Sequence, residues 1–150
     1  MTLYDYLLKI YQDYGFQRET TINVVRPGKT GAEEIQKMMI DYRANAPKEI
    51  AGEKVIRIKD FKTLKQQDLK DGKWVESDIE MPLNATSNVL QYFTEGGLKV
   101  SVRPSGTEPK IKFYFEIPVK SGKPFTGADY ERCTAEAQAK VPAIKASLGL

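Results

Sequence analysis

The sequence predicts an α+β fold of two layers, in which helices cover one face of an antiparallel sheet. Three observations support this. Apolar and polar residues alternate in several segments, as they do in half-buried strands. Tight-turn sequences such as Asp71-Gly72 and Glu95-Gly96-Gly97 separate these segments, and parallel strands would need long crossovers instead. After a first helix, the order of elements is strand, helix, several strands and helix.

The first predicted element is an amphipathic helix of about three turns. Thr2 and Asp5 have the spacing of a capping box, and Gly15 suits the position after the last turn. Its apolar residues follow helical spacing: Leu3, Leu7, Ile10, Tyr11 and Tyr14. Two interpretations remain open. This face packs on the core of the same domain, or residues 1–15 close a preceding domain or form a linker ahead of a domain spanning residues 16–150.

A strand over residues 16–25, with Ile22 and Val24 on one side, is followed by a second helix. Thr30 is the expected N-cap of that helix, because Glu33 and Glu34 fall in its first turn. The helix ends before Pro47. Its predicted buried stripe consists of Ile35, Met38, Met39 and Tyr42.

A strand over residues 54–59 should point Ile56 and Ile58 inward. Residues 60–86 are long for a loop, so we expect an extra hairpin within them. Trp74 is expected to pack beneath that segment. Its lysines should form a solvated face: Lys62, Lys65, Lys70 and Lys73.

Three further strands follow, over residues 89–93, 98–103 and 110–117, and Pro118 is expected to end the last of them. Thr126 and Asp129 predict the capped start of a final helix. Pro142 should kink that helix or end it. Its predicted apolar face comprises Tyr130, Cys133, Ala137, Val141 and Ile144, so the one cysteine is expected to be buried and inert.

The most informative segment is residues 103–110, with the sequence Arg-Pro-Ser-Gly-Thr-Glu-Pro-Lys, between two predicted strands. Arg103 offers a planar fork of donors that matches phosphate oxygens, and Ser105 and Thr107 each offer a hydroxyl. Gly106 leaves its backbone N–H open to close approach, and a turn of this kind can present N–H groups to an anion. Lys110 adds a cation. The segment is therefore a candidate phosphate site.

These eight residues resemble the R-P-S-G-T-E-P-K loop of the α-D-phosphohexomutases, the family of phosphoglucomutase and phosphomannomutase. Residues 87–90, Ser-Asn-Val-Leu, are similar to the strand before that loop, and residues 31–35 to the start of the domain's first helix. The resemblance covers nearly the whole chain. It implies a TATA-binding-protein-like fold, the C-terminal domain of the enzyme, and a loop that grips the substrate phosphate.

The resemblance also implies a role for each residue of the loop. Arg103 would pair bidentately with the phosphate that does not react, Ser105 and Thr107 would donate hydroxyl bonds, and the Gly106 N–H would complete the site. Lys112, on the polar side of the following strand, would balance residual charge. Glu108 and Pro109 would shape the turn.

The chemistry of the family is not encoded in this chain. It contains no histidine, no phosphoserine loop and no acidic metal loop, so we assign it no catalytic and no metal-binding residue. We expect one domain of an isomerase, inactive by itself. The full-length enzyme would use Mg²⁺ and a hexose 1,6-bisphosphate, and other domains of the same protein would choose the hexose.

Two alternatives remain from the residues. A natural stand-alone domain could bind sugar phosphates without catalysis. A sheet with interleaved lysines could bind nucleic acid, but Phe113 and Phe115 share the parity of Ile111 and Ile117, which leaves Tyr114 on the polar face. We therefore expect no nucleic-acid partner.

The bulk composition agrees with an ordinary globular domain. The net charge of +3 is mild and would help to attract an anionic substrate. A single cysteine, no apolar run of membrane-spanning length and no basic-then-apolar leader predict a cytoplasmic protein without a membrane partner.

Overall fold

The computed structural model describes all 150 residues. It contains three α-helices, α1 (Leu3–Tyr14), α2 (Gly28–Ala44) and α3 (Gly127–Ser147). The eight strands are β1 (Phe16–Val25), β2 (Glu49–Ile50), β3 (Glu53–Asp60), β4 (Lys65–Lys70), β5 (Lys73–Asp78), β6 (Leu90–Thr94), β7 (Lys99–Pro104) and β8 (Lys110–Val119). A short 3₁₀ turn spans Pro82–Asn84.

All the strands form one antiparallel sheet. The order across it is β1-β8-β7-β6-β3-β4-β5, and the short β2 pairs with β3 off this path. Every pairing is antiparallel. The predicted α+β class is confirmed, with more strands than the sequence resolved.

The helices and the core lie on one face of the sheet. Strand β8 alternates strictly, so that Ile111, Phe113, Phe115 and Ile117 are buried, as predicted. They belong to a single cluster with residues from α2 and α3, including Ile35, Met39, Cys133, Ala137, Val141 and Ile144. The residues that the strand alternation and the helical spacing predicted to be buried therefore hold the sheet and the helices together.

The surface opposite α2 and α3 is called the open face here. It carries the other residue of each alternating pair: Lys99, Ser101 and Arg103 of β7, and Lys110, Lys112, Tyr114 and Glu116 of β8. No helix covers it, because α1 packs at the edge of β1 and both long helices pack on the core face.

Helix α2 begins three residues earlier than predicted, at Gly28. Its N-cap is Pro27, which makes no side-chain capping bond, so the assignment of Thr30 as N-cap is wrong. The reason is Gly28, whose φ of +83° turns the chain directly from β1 into the helix. The predicted stripe is correct, with Ile35 and Met39 buried.

The prediction for strand β3 is half wrong. Ile58 points into the core, but Ile56 is 37% exposed and Val55 is buried instead. A bulge explains this, since Val55 pairs with Thr94 and Arg57 pairs with the next residue, Phe93. Ile56 is the extra residue, and it shifts the alternation by one position.

Residues 60–86 contain the expected hairpin, formed by β4 and β5. Its turn is Asp71-Gly72, where both residues have positive φ. Trp74 does not pack beneath a loop. It lies on the edge strand β5 and is 45% exposed, because nothing covers this hairpin. The lysines of this segment are solvated, as predicted.

Two prolines lie within the elements that they were expected to end. Strand β8 continues through Pro118 to Val119, because at that point only β1 remains beside it and the last β7 pair is Lys99 with Glu116. Helix α3 continues through Pro142 to Ser147, so the proline does not end it. The predicted Thr126–Asp129 capping box of α3 is present.

Helix α1 packs on the domain through one side only. The Tyr11 ring lies 4.9 Å from Phe16 and 5.5 Å from Phe125 between centroids, and Gln12 accepts the Phe125 N–H at 3.1 Å. Its other side is exposed, with Leu3 and Tyr14 almost fully accessible. The side of α1 that carries Tyr11 therefore packs against the core of this domain, and the assignment of residues 1–15 to a linker or preceding domain stays a prediction.

Candidate functional site

The site predicted from the sequence lies at the turn between β7 and β8. The register pairs Arg103 with Lys112 and Pro104 with Ile111. A backbone bond from the Ser105 N–H to the Lys110 carbonyl, at 2.8 Å, closes the loop. The two strands thus hold the ends of a compact five-residue loop, residues 105–109.

Ser105 organises the interior of this loop. Its hydroxyl oxygen accepts the backbone N–H groups of Thr107 at 3.5 Å and of Glu108 at 3.3 Å, a local motif typical of serine in turns. Because the oxygen only accepts in these contacts, the hydroxyl hydrogen stays available to a ligand. The sequence indicated the donor but not this structural role.

Gly106 carries the one backbone N–H of residues 105–108 that has no acceptor within the protein. A Cβ built at Gly106 would meet nothing within 4 Å, and its φ is not positive. The glycine is therefore required neither by backbone conformation nor by packing. The open space around its N–H is what a closely approaching ligand needs.

Arg103 and Lys112 form the cationic part of the site. They are direct cross-strand neighbours on the open face, Arg103 is exposed, and neither has a carboxylate within 4.0 Å. Lys110 differs, because its ammonium lies 3.2 Å from the Glu108 carboxylate. The sequence counted Lys110 among the donors of the loop, whereas the structure engages it in an ion pair.

The five predicted residues fall into two adjoining groups. Arg103 and Lys112 lie on the open face. Ser105, Gly106 and Thr107 border a cleft of about 690 Å³ between the loop and the start of α2. Neither Arg103 nor Lys112 lines this cleft, so the two groups meet only at the loop itself.

Sequence reasoning missed the residues that complete these surroundings. Asn23 of β1 pairs with Lys112, so that Asn23, Lys112 and Arg103 lie side by side on three adjacent strands. Gln36 and Asn88 line the cleft, and Asn88 also accepts a bond from Arg43 at 2.6 Å. Only the strand register could have indicated Asn23, since it lies 89 positions before Lys112 in the chain.

A second connection fastens the loop to α2. The Arg26 N–H donates to the Pro109 carbonyl at 2.8 Å, and the Arg26 side chain lies 3.4 Å from Glu34. Gly31 packs directly under Arg26, since a Cβ at Gly31 would lie 1.8 Å from the Arg26 carbonyl oxygen. The segment after β1, the start of α2 and the loop are therefore in direct contact with one another.

Two further residues bear on the sequence predictions. Cys133 is fully buried on α3, as predicted, and burial raises the pKa of its thiol, which disfavours the nucleophilic thiolate.

Phe93, which the sequence analysis did not assign to a face, lies on the open face together with Tyr114. The ammonium groups of Lys59 and Lys99 lie 5.4 Å and 5.7 Å from the centre of its ring. The expectation that the sheet binds no nucleic acid stays a prediction.

None of the helices has the length and apolar character needed to cross a bilayer. The geometry defines a two-layer α+β domain whose most distinctive feature is a donor-rich hairpin loop beside two cations without acidic partners.

Comparison with known proteins identifies the family of this domain. Residues 22–122 match the family described as the C-terminal domain of phosphoglucomutase/phosphomannomutase. The phosphoglucomutase of Staphylococcus haemolyticus is 37% identical over 118 residues, which cover 79% of this chain and 20% of that protein. The enzyme of Staphylococcus aureus strain MRSA252 is 38% identical over 116 residues, 77% of this chain and 20% of that protein.

The chain therefore belongs to the phosphoglucomutase/phosphomannomutase C-terminal domain family, as the resemblance implied, and it spans about a fifth of the length of the curated relatives it matches. Among solved structures, the open form of parafusin, a phosphoglucomutase from Paramecium, is similar with a TM-score of 0.47 and 13% identity. That similarity covers 99% of this chain and 24% of parafusin. At this level the likeness carries no information about the site.

Proposed function

We propose that this domain clamps the non-reacting phosphate of a hexose phosphate in a phosphohexomutase that interconverts hexose 1-phosphate and 6-phosphate. The observation that carries the proposal is the pair Arg103 and Lys112, held opposite each other on the open face without an acidic partner. Like charges placed directly across two strands destabilise a sheet. A bound dianion removes this repulsion, so the pair is arranged for an anionic ligand.

Each group of the site has a distinct task. Arg103 supplies charge and two parallel N–H donors, a geometry that matches two phosphate oxygens. Lys112 adds a point charge beside it. The hydroxyls of Ser105 and Thr107 and the free N–H of Gly106 would supply neutral hydrogen bonds from the adjoining loop.

The domain contributes positioning and charge neutralisation rather than covalent chemistry. In the full-length enzyme, which we place in the cytoplasm, the other domains would provide the phosphoserine, the Mg²⁺ site and the residues that choose the hexose. A hexose 1,6-bisphosphate would be the intermediate. Closure of this domain over the substrate would exclude water and strengthen each phosphate contact.

An NMR titration of the 150-residue chain with inorganic phosphate tests the clamp. The amide signals of residues 103–107 should move most, with a millimolar Kd, on the order of −4 kcal/mol, because the isolated clamp is open to water. Arg103→Ala should abolish these shifts. The matched control is Arg57→Ala, since Arg57 lies on the same face but is paired with Asp68. If Arg103→Ala leaves phosphate binding intact, the clamp does not exist as described.

A further inference from the structure

A continuous row of polar side chains crosses the open face beside the clamp. Successive register pairs connect Thr21, Tyr114, Ser101, Gln91, Lys59, Gln66 and Ser77 from β1 to β5. The part nearest the clamp consists of Tyr114, Ser101 and Gln91 on three adjacent strands. These three residues are called the polar floor below.

The polar floor lies one step along the strands from the cations. Ser101 precedes Arg103 by two residues in β7, and Tyr114 follows Lys112 by two residues in β8. On one face of a sheet, residues two apart are separated by about 7 Å, and neighbouring strands by about 4.8 Å. A group esterified to a phosphate at Arg103 and Lys112 therefore extends over Ser101 and Tyr114 if it follows the face.

The polar groups of the floor are free to bind a ligand. The side chains of Tyr114, Ser101 and Gln91 are half-buried, yet none of them makes a hydrogen bond within the protein. The structural tyrosines differ. Tyr92 donates to the Tyr42 carbonyl at 2.7 Å, and Tyr42 donates to the Leu148 carbonyl at 2.6 Å.

The next row of the open face is already satisfied and marks the limit of the floor. Lys99 lies 3.6 Å from Glu116, and the ring of Phe93 is approached by Lys59 and Lys99. The polar floor lies between this row and the clamp. It is small, carries no charged side chain, and offers both hydrogen-bond donors and acceptors. One aromatic ring with three polar groups, the Tyr114 and Ser101 hydroxyls and the Gln91 amide, suits a single polyhydroxylated ring rather than a second anionic group or a stacked base.

We propose that the polar floor binds the sugar of the phosphorylated ligand, with the Tyr114 ring against the apolar side of the pyranose and the Ser101 hydroxyl and Gln91 amide bonded to its hydroxyls. This inference rests on the proposed phosphate clamp and assigns sugar contacts to the sheet itself. Tyr114 and Ser101 are then residues that distinguish a sugar phosphate from phosphate alone.

Parallel NMR titrations with inorganic phosphate and with glucose 1-phosphate test the floor. The chain should bind glucose 1-phosphate roughly three- to tenfold more tightly than phosphate, the factor expected for one or two net hydrogen bonds. In Ser101→Ala/Tyr114→Val this preference should disappear while the phosphate Kd is unchanged. Tyr114→Val places a β-branched residue, which is favoured in strands, at this position. Ser101→Ala alone, which removes only a hydroxyl, should halve the preference or more.

Ser77→Ala is the matched control, because it removes the same hydroxyl from the far end of the same row. It should leave both affinities unchanged. If phosphate moves residues 103–107 but the wild-type chain binds both ligands equally, or if the double variant keeps the preference, the polar floor is refuted and the clamp stands. If phosphate does not bind at all, the clamp and the floor are both refuted.

Discussion

Arg103 of β7 and Lys112 of β8 lie directly opposite each other, and no carboxylate lies within 4.0 Å of either side chain. Two other cations of the same face are paired, Arg57 with Asp68 and Lys99 with Glu116, whereas Lys59 lies over the Phe93 ring and has no ion pair. What distinguishes Arg103 and Lys112 is that they adjoin the loop that offers the Ser105 hydroxyl hydrogen and the free Gly106 N–H. The sheet thus keeps two like charges together next to a loop that offers neutral donors.

This arrangement predicts a gain in stability when one cation is removed. Without phosphate and at low salt, Arg103→Ala should be more stable than the wild type by roughly 0.2–1 kcal/mol, because the variant relieves the cross-strand repulsion between Arg103 and Lys112. Urea unfolding measures the difference. Added phosphate should raise the stability of the wild type and not of the variant. If Arg103→Ala is clearly less stable than the wild type without phosphate, Arg103 has a favourable partner within the folded chain and the prediction is wrong.

The two glycines near the loop should respond in opposite ways to alanine. Gly106→Ala should fold with unchanged stability, because its Cβ meets no atom within 4 Å, but it should weaken phosphate binding by filling the space beside the free N–H. Gly31→Ala should cost about 1–3 kcal/mol or more, since its Cβ would overlap the Arg26 carbonyl oxygen at 1.8 Å. Unfolding curves and phosphate titrations distinguish the two effects. Unaltered phosphate affinity in Gly106→Ala would remove that N–H from the site.

The capping box of α3 should make stability depend on acid pH. Hydrogen bonds from the Thr126 backbone and hydroxyl lower the pKa of Asp129 below its ordinary value of 3.8. A lowered folded-state pKa contributes stability above the unfolded pKa, and this contribution is lost as the pH falls through the folded pKa. Asp129→Asn should therefore be less stable than the wild type at pH 7, and the difference should shrink at about pH 2.5.

Asp13→Asn is the control for that experiment, because the Asp13 side chain makes no hydrogen bond and no ion pair. Denaturant titrations of all three proteins at both pH values give the comparison. A difference between Asp129→Asn and the wild type that stays constant with pH would mean that the carboxylate charge does not support the cap.

Helix α1 should be the least protected helix of the fold. None of its residues is buried, and Tyr11 and Gln12 provide its main contacts with the rest of the domain. Elements with little buried surface open locally before the domain unfolds. Amide hydrogen exchange should be faster in residues 3–14 than in residues 110–117 of β8. Equal protection in the two segments, in a monomeric sample, would show that α1 is an integral part of the core.

The isolated chain should have no mutase activity. The residues of the site bind and neutralise a phosphate, and the chain has no histidine and no gathered acidic residues to carry out phosphoryl transfer. An assay with glucose 1-phosphate, Mg²⁺ and glucose 1,6-bisphosphate should give no turnover above a blank without protein. Turnover by the purified chain, lost in Arg103→Ala, would assign complete catalysis to this domain.

Several elements could be predicted because their signals are local. The capping boxes at Thr2 and Thr126 are present, and the alternation of β8 placed Ile111 to Ile117 in the core. The errors arose where a neighbouring element overrides the local pattern. Ile56 lies outside the core because of a bulge where β3 pairs with β6. Thr30 is not the N-cap of α2, because the positive φ of Gly28 lets the helix begin before it.

The sequence alone was sufficient for the fold class, the family and the content of the loop, because alternation, helical spacing and an eight-residue motif are properties of short segments. Only the folded sheet decided that Lys112 faces Arg103, that Asn23 and Tyr114 lie beside them, and that Ser101 and Gln91 continue the surface. These relations depend on strand register. Register is set by the packing of residues far apart in the chain, and a shift of one residue would turn each side chain to the other face.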